Sequence, residues 1–114
     1  MATVHVPWYA TLFRADRFED ALQEIAPLAL RYGAKKFFVF RGGDDSYRFS
    51  LFVEFETKLD WERYWMGPEF IAWRAKYSGW YQIPVVYDWG ATVSEGRSEL
   101  IENGVREPED APAA

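Results

Sequence analysis

Eight aromatic residues stand between Trp61 and Tyr81, in the stretch WERYWMGPEFIAWRAKYSGWY, and Gly67-Pro68 breaks the stretch in the middle. An amphipathic helix docks through a narrow apolar stripe. Four tryptophans and three tyrosines around Phe70 exceed what one stripe needs. Such a surplus builds a core, a dimer contact or a flat, apolar ligand cavity. Gly67-Pro68 ends or kinks the first helical piece, and Pro68 suits the first position of a second. Thr57 offers an N-cap, with Asp60 in a first turn favoured by the helix dipole. Phe70, Trp73 and Tyr77 then fall at i, i+3 and i+7.

The elements around this stretch follow from periodicity. From Thr3 to Arg14, Val4, Val6, Trp8, Ala10 and Leu12 alternate with His5, Pro7, Tyr9, Thr11 and Phe13, which predicts a strand. Pro7 cannot donate to a ladder, so a bulge or an unpaired position is expected there. Asp16, with Glu19 three residues on, is expected to cap a helix. Its apolar face is Phe18, Ala21, Leu22, Ile25, Leu28, Ala29 and Tyr32, and Gly33 is its natural stop. Pro27 lies inside and is expected to kink or loosen a turn. KFFVFR (36–41) reads as a second strand, apolar on both faces, and Tyr47 to Glu56 as a third. The short turn Gly42-Gly43-Asp44-Asp45 predicts an antiparallel hairpin between them. Tyr81 to Gly90, with Ile83, Val85, Tyr87 and Trp89 alternating, reads as a last strand. The order is βαββαβ, an α+β ferredoxin-like arrangement with a four-stranded antiparallel sheet and two helices on one face.

A chain of 114 residues suits one domain. We expect it to occupy residues 1–92, followed by an acidic, disordered tail over 93–114 in which Leu100-Ile101 adds at most a helical turn. Residues 95–114 carry six carboxylates against two arginines, so four of the five net negative charges belong to that tail. No basic stripe remains to neutralise phosphates, which argues against nucleic-acid binding. No apolar run reaches membrane-spanning length, the N-terminus lacks the features of a signal peptide, and there is no cysteine. A cytoplasmic protein is the expectation. One histidine, no cysteine and no clustered carboxylates make a metal site improbable.

Two helices cover one sheet face only. Phe37 and Val39 lie on one side of the second strand and Phe38 and Phe40 on the other, with Phe13, Phe52 and Val86 adding to the uncovered set. A patch of that size is rarely left in water. A partner chain packing sheet against sheet, in a symmetric homodimer, is the expected cover; the tail is the alternative.

The order βαββαβ together with FVEFETKLDWERYWMGPEFIAWRAKY resembles the dimeric α/β-barrel superfamily, and within it the antibiotic-biosynthesis-monooxygenase group. The matching residues are Glu54 to Glu56 ending the third strand, Trp61 to Trp65, and Gly67-Pro68-Glu69-Phe70. The resemblance covers residues 3–92, and its specific part is the broken helix. It implies a cavity between helices and sheet in each subunit. Some members use such a cavity to oxidise aromatic compounds with oxygen and neither metal nor flavin, so no cofactor is expected. The haem-degrading members use an Asn, a Trp and a His. Here Arg74 stands where the ligand His would be, the first strand has no Asn, and only Tyr64 or Trp65 falls near the Trp position.

Candidate residues follow from both readings. His5 is the sole histidine and the natural general base; its plain alternative is a strand-end imidazole half in water. Tyr64 occupies a position held by histidine in many members of the group, and Arg74 is suited to a carboxylate or phenolate. These three make the candidate catalytic set. Tyr9, Trp61, Trp65, Trp73 and Tyr77 are the candidate ligand-binding residues by offset stacking, against the alternative that they are core. The leading expectation is a homodimer that binds a small aromatic or apolar molecule, with cofactor-independent monooxygenase chemistry as its enzymatic form. The alternative is a non-catalytic dimeric α/β-barrel module with a structural or regulatory role.

Overall fold

The computed structural model describes residues 1–98. The elements are β1 (Ala2–Tyr9), α1 (Ala15–Ile25) running on into a 3₁₀ segment (Ala26–Tyr32), β2 (Lys36–Arg41), β3 (Arg48–Phe55), α2 (Lys58–Trp65), α3 (Pro68–Lys76) and β4 (Asp88–Ala91). The four strands form one antiparallel sheet in the order β2-β3-β1-β4. This is the ferredoxin-like α+β arrangement expected from the sequence. The expected helical turn at Leu100-Ile101 lies outside the described residues, as does most of the expected tail.

Alternation sorts the sheet into two unlike faces. Val4, Val6 and Trp8 of β1 and Phe49, Leu51, Val53 and Phe55 of β3 are buried against Phe18, Leu22 and Ile25 of α1, Trp61 and Tyr64 of α2, and Phe70 and Trp73 of α3. The opposite face, carrying His5, Phe38, Phe40, Phe52 and Glu54, has no helix over it among the described residues.

Local chemistry explains most boundaries. Thr57 caps α2, its Oγ1 accepting from Asp60 N–H at 3.2 Å. Gly67 is the N-cap of α3 and Pro68 its first residue. A Cβ at Gly67 would lie 2.6 Å from the Arg63 carbonyl oxygen and 2.8 Å from the Tyr32 hydroxyl, so the break is packed as tightly as only glycine allows. Pro27 turns the rest of the first helix into a 3₁₀ segment, because the missing N–H and the ring deny the α-helical bond there. Gly33, at φ 101°, stops it in the left-handed conformation.

Three expectations are corrected. The capping box at Asp16 and Glu19 does not form: Arg14 holds the N-cap position without a side-chain bond. Both carboxylates instead accept from Arg41 on β2, at 2.9 and 2.7 Å. The first strand ends at Tyr9, and Phe13 turns away at φ 67°. The last strand is four residues long, not ten. Tyr81 makes an isolated bridge to Ala10, and pairing resumes only at Asp88 opposite His5.

The prolines account for that gap. Odd-numbered residues of β1 aim their backbone toward β4: Tyr9 C=O accepts from Gln82 N–H and Thr11 N–H donates to Trp80 C=O. Pro7 has the same parity and no N–H, so its position on that edge cannot donate. Pro84 has none either. Among the described residues, Ile83 to Tyr87 pair with no strand and make no backbone hydrogen bond. On the β3 side Pro7 pairs in regular register with Ser50, without a bulge. It is the unpaired position that the sequence called for.

Candidate functional site

The sheet separates the candidate residues into two groups. Tyr64, Arg74, Trp61, Trp65, Trp73 and Tyr77 lie on the helix side, and His5 and Tyr9 belong to the open face. The set His5, Tyr64 and Arg74 is therefore not brought together within one chain. The sheet stands between the imidazole and the other two.

Most helix-side candidates are structural in their contacts. Tyr64 is 1% exposed and donates to the Ile25 carbonyl at 2.6 Å. Burial raises its phenol pKa far above the ordinary range, which removes it as a base at neutral pH. Trp73 donates from Nε1 to the Ala21 carbonyl at 2.8 Å, and the Tyr77 hydroxyl donates to Glu24 at 2.9 Å. Both residues tie α3 to α1. Trp61 is fully buried, edge-on to Phe55, Tyr64 and Tyr87.

Trp65 is different because its indole is only half-buried. One side stacks on Trp61 at 5.3 Å between centroids. The Arg74 guanidinium sits 3.9 Å from its ring centroid and 5.1 Å from that of Phe70. Tyr87 comes in edge-on at 5.7 Å. Arg74 has no ion pair among the described residues, and its Nη1 is buried without an acceptor. Burial lowers its pKa, opposed only in part by the Tyr81 phenol nearby. A half-buried cation without a counter-charge is an unusual thing for a fold to keep.

Sequence reasoning missed Trp8 and Tyr87 as members of this nest. Trp8 faces inward from β1 and packs on Phe18, Trp65, Phe70, Trp73 and Tyr81. Its alternation with Val4 and Val6 was the available signal. The pairing of Val85 with Tyr87 two residues on was the signal for the second.

The open face carries an aromatic ladder. Phe38 stacks on Phe40 at 5.8 Å, Phe40 meets Phe52 at 5.6 Å, and Phe52 stacks on the His5 ring at 4.4 Å. Phe38 and Phe40 are 47% and 56% exposed. His5 Nε2 lies 3.1 Å from Ser50 Oγ. A groove of about 330 Å³ is lined by Phe38, Phe40 and Phe52 together with Lys36, Glu54 and Glu95. Tyr9 is spent on the adjoining turn: its hydroxyl donates to Asp45 Oδ2 at 2.6 Å, which raises the phenol pKa and lowers that of the carboxyl. Among the described residues no three His, Asp or Glu side chains group at a metal-sized site, and no helix is long and apolar enough to cross a membrane.

No family model matches the sequence, and no curated protein does. Solved structures do match. A Nitrosomonas europaea protein provisionally named an antibiotic biosynthesis monooxygenase superposes with a TM-score of 0.75 at 19% identity, covering 82% of this chain and 100% of that one. A Deinococcus radiodurans protein with the same provisional name gives 0.74 at 11% identity, over 87% and 99% of the two chains. A mutant of SnoaB, a cofactor-independent oxygenase from Streptomyces nogalater, gives 0.70 at 12% identity, over 82% and 95%. At these identities the likeness is one of fold. The chain has the ferredoxin-like α+β fold, and several of the solved structures that share it are named as antibiotic biosynthesis monooxygenases.

Proposed function

We propose that the protein is a homodimer that binds a small aromatic molecule on the helix side of each subunit, at Trp65. The observation that carries the binding site is the half-buried Trp65 indole packed on Trp61 and on an Arg74 guanidinium that has no ion pair among the described residues. Tyr32, Trp80 and Tyr87 are also partly exposed on the helix side, but among these rings only Trp65 has a guanidinium held over it. Here a part-exposed indole and a cation adjoin, and the two together suit a small aromatic ligand. The homodimer is supported by the Phe38–Phe40–Phe52–His5 ladder, an apolar strip that a second sheet would cover.

The enzymatic form of this reading is cofactor-independent oxygenation of the bound molecule, the activity named for SnoaB, which shares the fold. In such a reaction a substrate methylene and molecular oxygen give a carbonyl and water, and the protein holds the substrate as an anion. Tyr64 is locked as a donor and His5 is across the sheet, so the substrate itself must be acidic enough to ionise. Arg74 would then stabilise the anion. The non-catalytic module is favoured by the same lack of a base beside Trp65.

Two measurements test the reading. Tryptophan fluorescence titrated with a panel of hydroxylated aromatic compounds should quench saturably; a flat response throughout contradicts the binding site. An oxygen electrode run with the compounds that bind separates oxygenase from module, consumption above the protein-free rate being the mark of the first.

A further inference from the structure

Among the described residues, three N–H donors on the helix side have no acceptor: Trp8 Nε1, Trp61 Nε1 and Arg74 Nη1. The two indoles are 2% and 0% exposed. All three side chains pack on Trp65, with Trp8 and Trp61 at 6.2 and 5.3 Å between ring centroids and the guanidinium at 3.9 Å. A buried donor left without an acceptor is costly, and native proteins keep few of them. Surrounding ring faces offset only part of that. Three such donors on side chains that pack on one ring suit a ligand that brings an acceptor, and the cation among them favours a negative one.

The cover over this place is weakly held. Val85 and Tyr87 reach inward from the stretch Ile83 to Tyr87, and the Tyr87 ring lies edge-on to Trp61 at 4.9 Å and to Trp65 at 5.7 Å. Ile83 and Val86 point outward, 79% and 65% exposed. No backbone hydrogen bond ties these five residues to the described part of the fold. They are anchored at Gln82, which donates to Tyr9, and again where β4 begins. Lifting them breaks the packing of Val85 and Tyr87 and no ladder bond, which places the stretch among the least stable parts of the sheet layer.

We propose that Ile83–Tyr87 is a displaceable strap over a site for an aromatic anion, a carboxylate or phenolate whose ring takes the place of Tyr87 against Trp61 and Trp65 and whose charged oxygen supplies the acceptor that Arg74 lacks. This rests on the ligand-binding reading of Trp65 and adds to it the charge of the ligand and its way in. Tyr87 acts as an internal competitor: it fills the site in the free protein and leaves when the ligand arrives.

Calorimetric titration with 2-naphthoate and its neutral counterpart 2-naphthamide tests both parts. The acid should bind about tenfold or more tightly than the amide, as one charge-assisted hydrogen bond implies. Arg74→Met should bring the ratio to about one. Tyr87→Ala should tighten naphthoate about fivefold or more by removing the competitor. If the two compounds bind equally to the wild-type protein, the anionic class is overturned while the ligand-binding reading stands. If Tyr87→Ala leaves naphthoate affinity unchanged or weaker, the strap is overturned. If neither compound binds any variant, the ligand-binding reading falls and this proposal with it. Should Tyr87→Ala fail to fold, the Val85 methyl resonances of the wild-type protein decide: naphthoate should move them toward solvent-exposed values, and fixed resonances at saturation overturn the strap.

Discussion

At the scale of single residues, tyrosines and tryptophans here do two jobs that look alike in a sequence. Tyr64, Trp73 and Tyr77 each end on a hydrogen bond into α1 or its carboxylate, so their polar atoms fasten helices together. Trp8 and Trp61 end on nothing. Alternation and helical spacing foretold that all of them would face inward, and could not foretell which would find an acceptor, because the acceptors lie 39 to 53 residues away in the chain. Tyr64→Phe removes a satisfied buried bond and should lower unfolding free energy in urea by about 1–2 kcal/mol. The Tyr9–Asp45 bond makes a second prediction. The phenol and the Tyr47 N–H hold the Asp45 carboxyl below its ordinary value. Its contribution to stability is therefore complete above the ordinary aspartate range and is lost as pH falls through the lowered folded value. Carbon-detected NMR should show Asp45 titrating below the ordinary aspartate value, and Tyr9→Phe should move it back up.

At the scale of elements, the broken helix was the most legible part of the chain. Thr57, Gly67 and Pro68 act through local rules of capping and φ, and local rules survive folding unchanged. Gly67 adds a tertiary constraint that no local rule contains, since a Cβ there would strike the Arg63 carbonyl and the Tyr32 hydroxyl. The carbonyl is backbone and cannot swing aside. Gly67→Ala should cost about 1–3 kcal/mol in chemical denaturation; an unchanged midpoint would mean that the break is looser than it stands. The last strand was the least legible element. Ile83, Val85, Tyr87 and Trp89 alternate as a strand does, and the inward members do reach the core, yet backbone pairing is absent until Asp88. Side-chain period and hydrogen-bond pairing are separate properties. Pro84 in the stretch and Pro7 across from it uncouple them. Asp16 and Glu19 misled for a related reason: their spacing fits a cap, but Arg41 offers a full positive charge where a cap offers only backbone N–H groups.

At the scale of the molecule, the sheet divides the labour between two surfaces. The helix side holds the Trp65 nest and the open side holds the phenylalanine ladder, so the proposed binding and the proposed association can be disturbed separately. Phe40 is 56% exposed and touches nothing on the helix side. Phe40→Asp places a charge in the strip that a second sheet would cover. It should turn a dimer into a monomer in light scattering at micromolar concentration with little change in the unfolding midpoint of the subunit. A wild-type protein that is already monomeric there would remove the homodimer. The two-sided pattern of Phe37 to Phe40 made the open face legible in advance. The separation of His5 from Arg74 was not, because a residue's face is fixed by strand register, and register is a property of paired strands rather than of either strand alone.

The measurement that bears most directly on this division is one ligand titration on three proteins. With an aromatic compound that quenches the wild-type protein, Trp65→Leu should lose most of the affinity, by about tenfold or more for the loss of the stacking face and the cation held over it, while Phe40→Asp keeps it within about twofold because its change lies across the sheet. The opposite pattern, affinity kept in Trp65→Leu and lost in Phe40→Asp, would put the ligand in the groove of the open face and contradict the site proposed at Trp65.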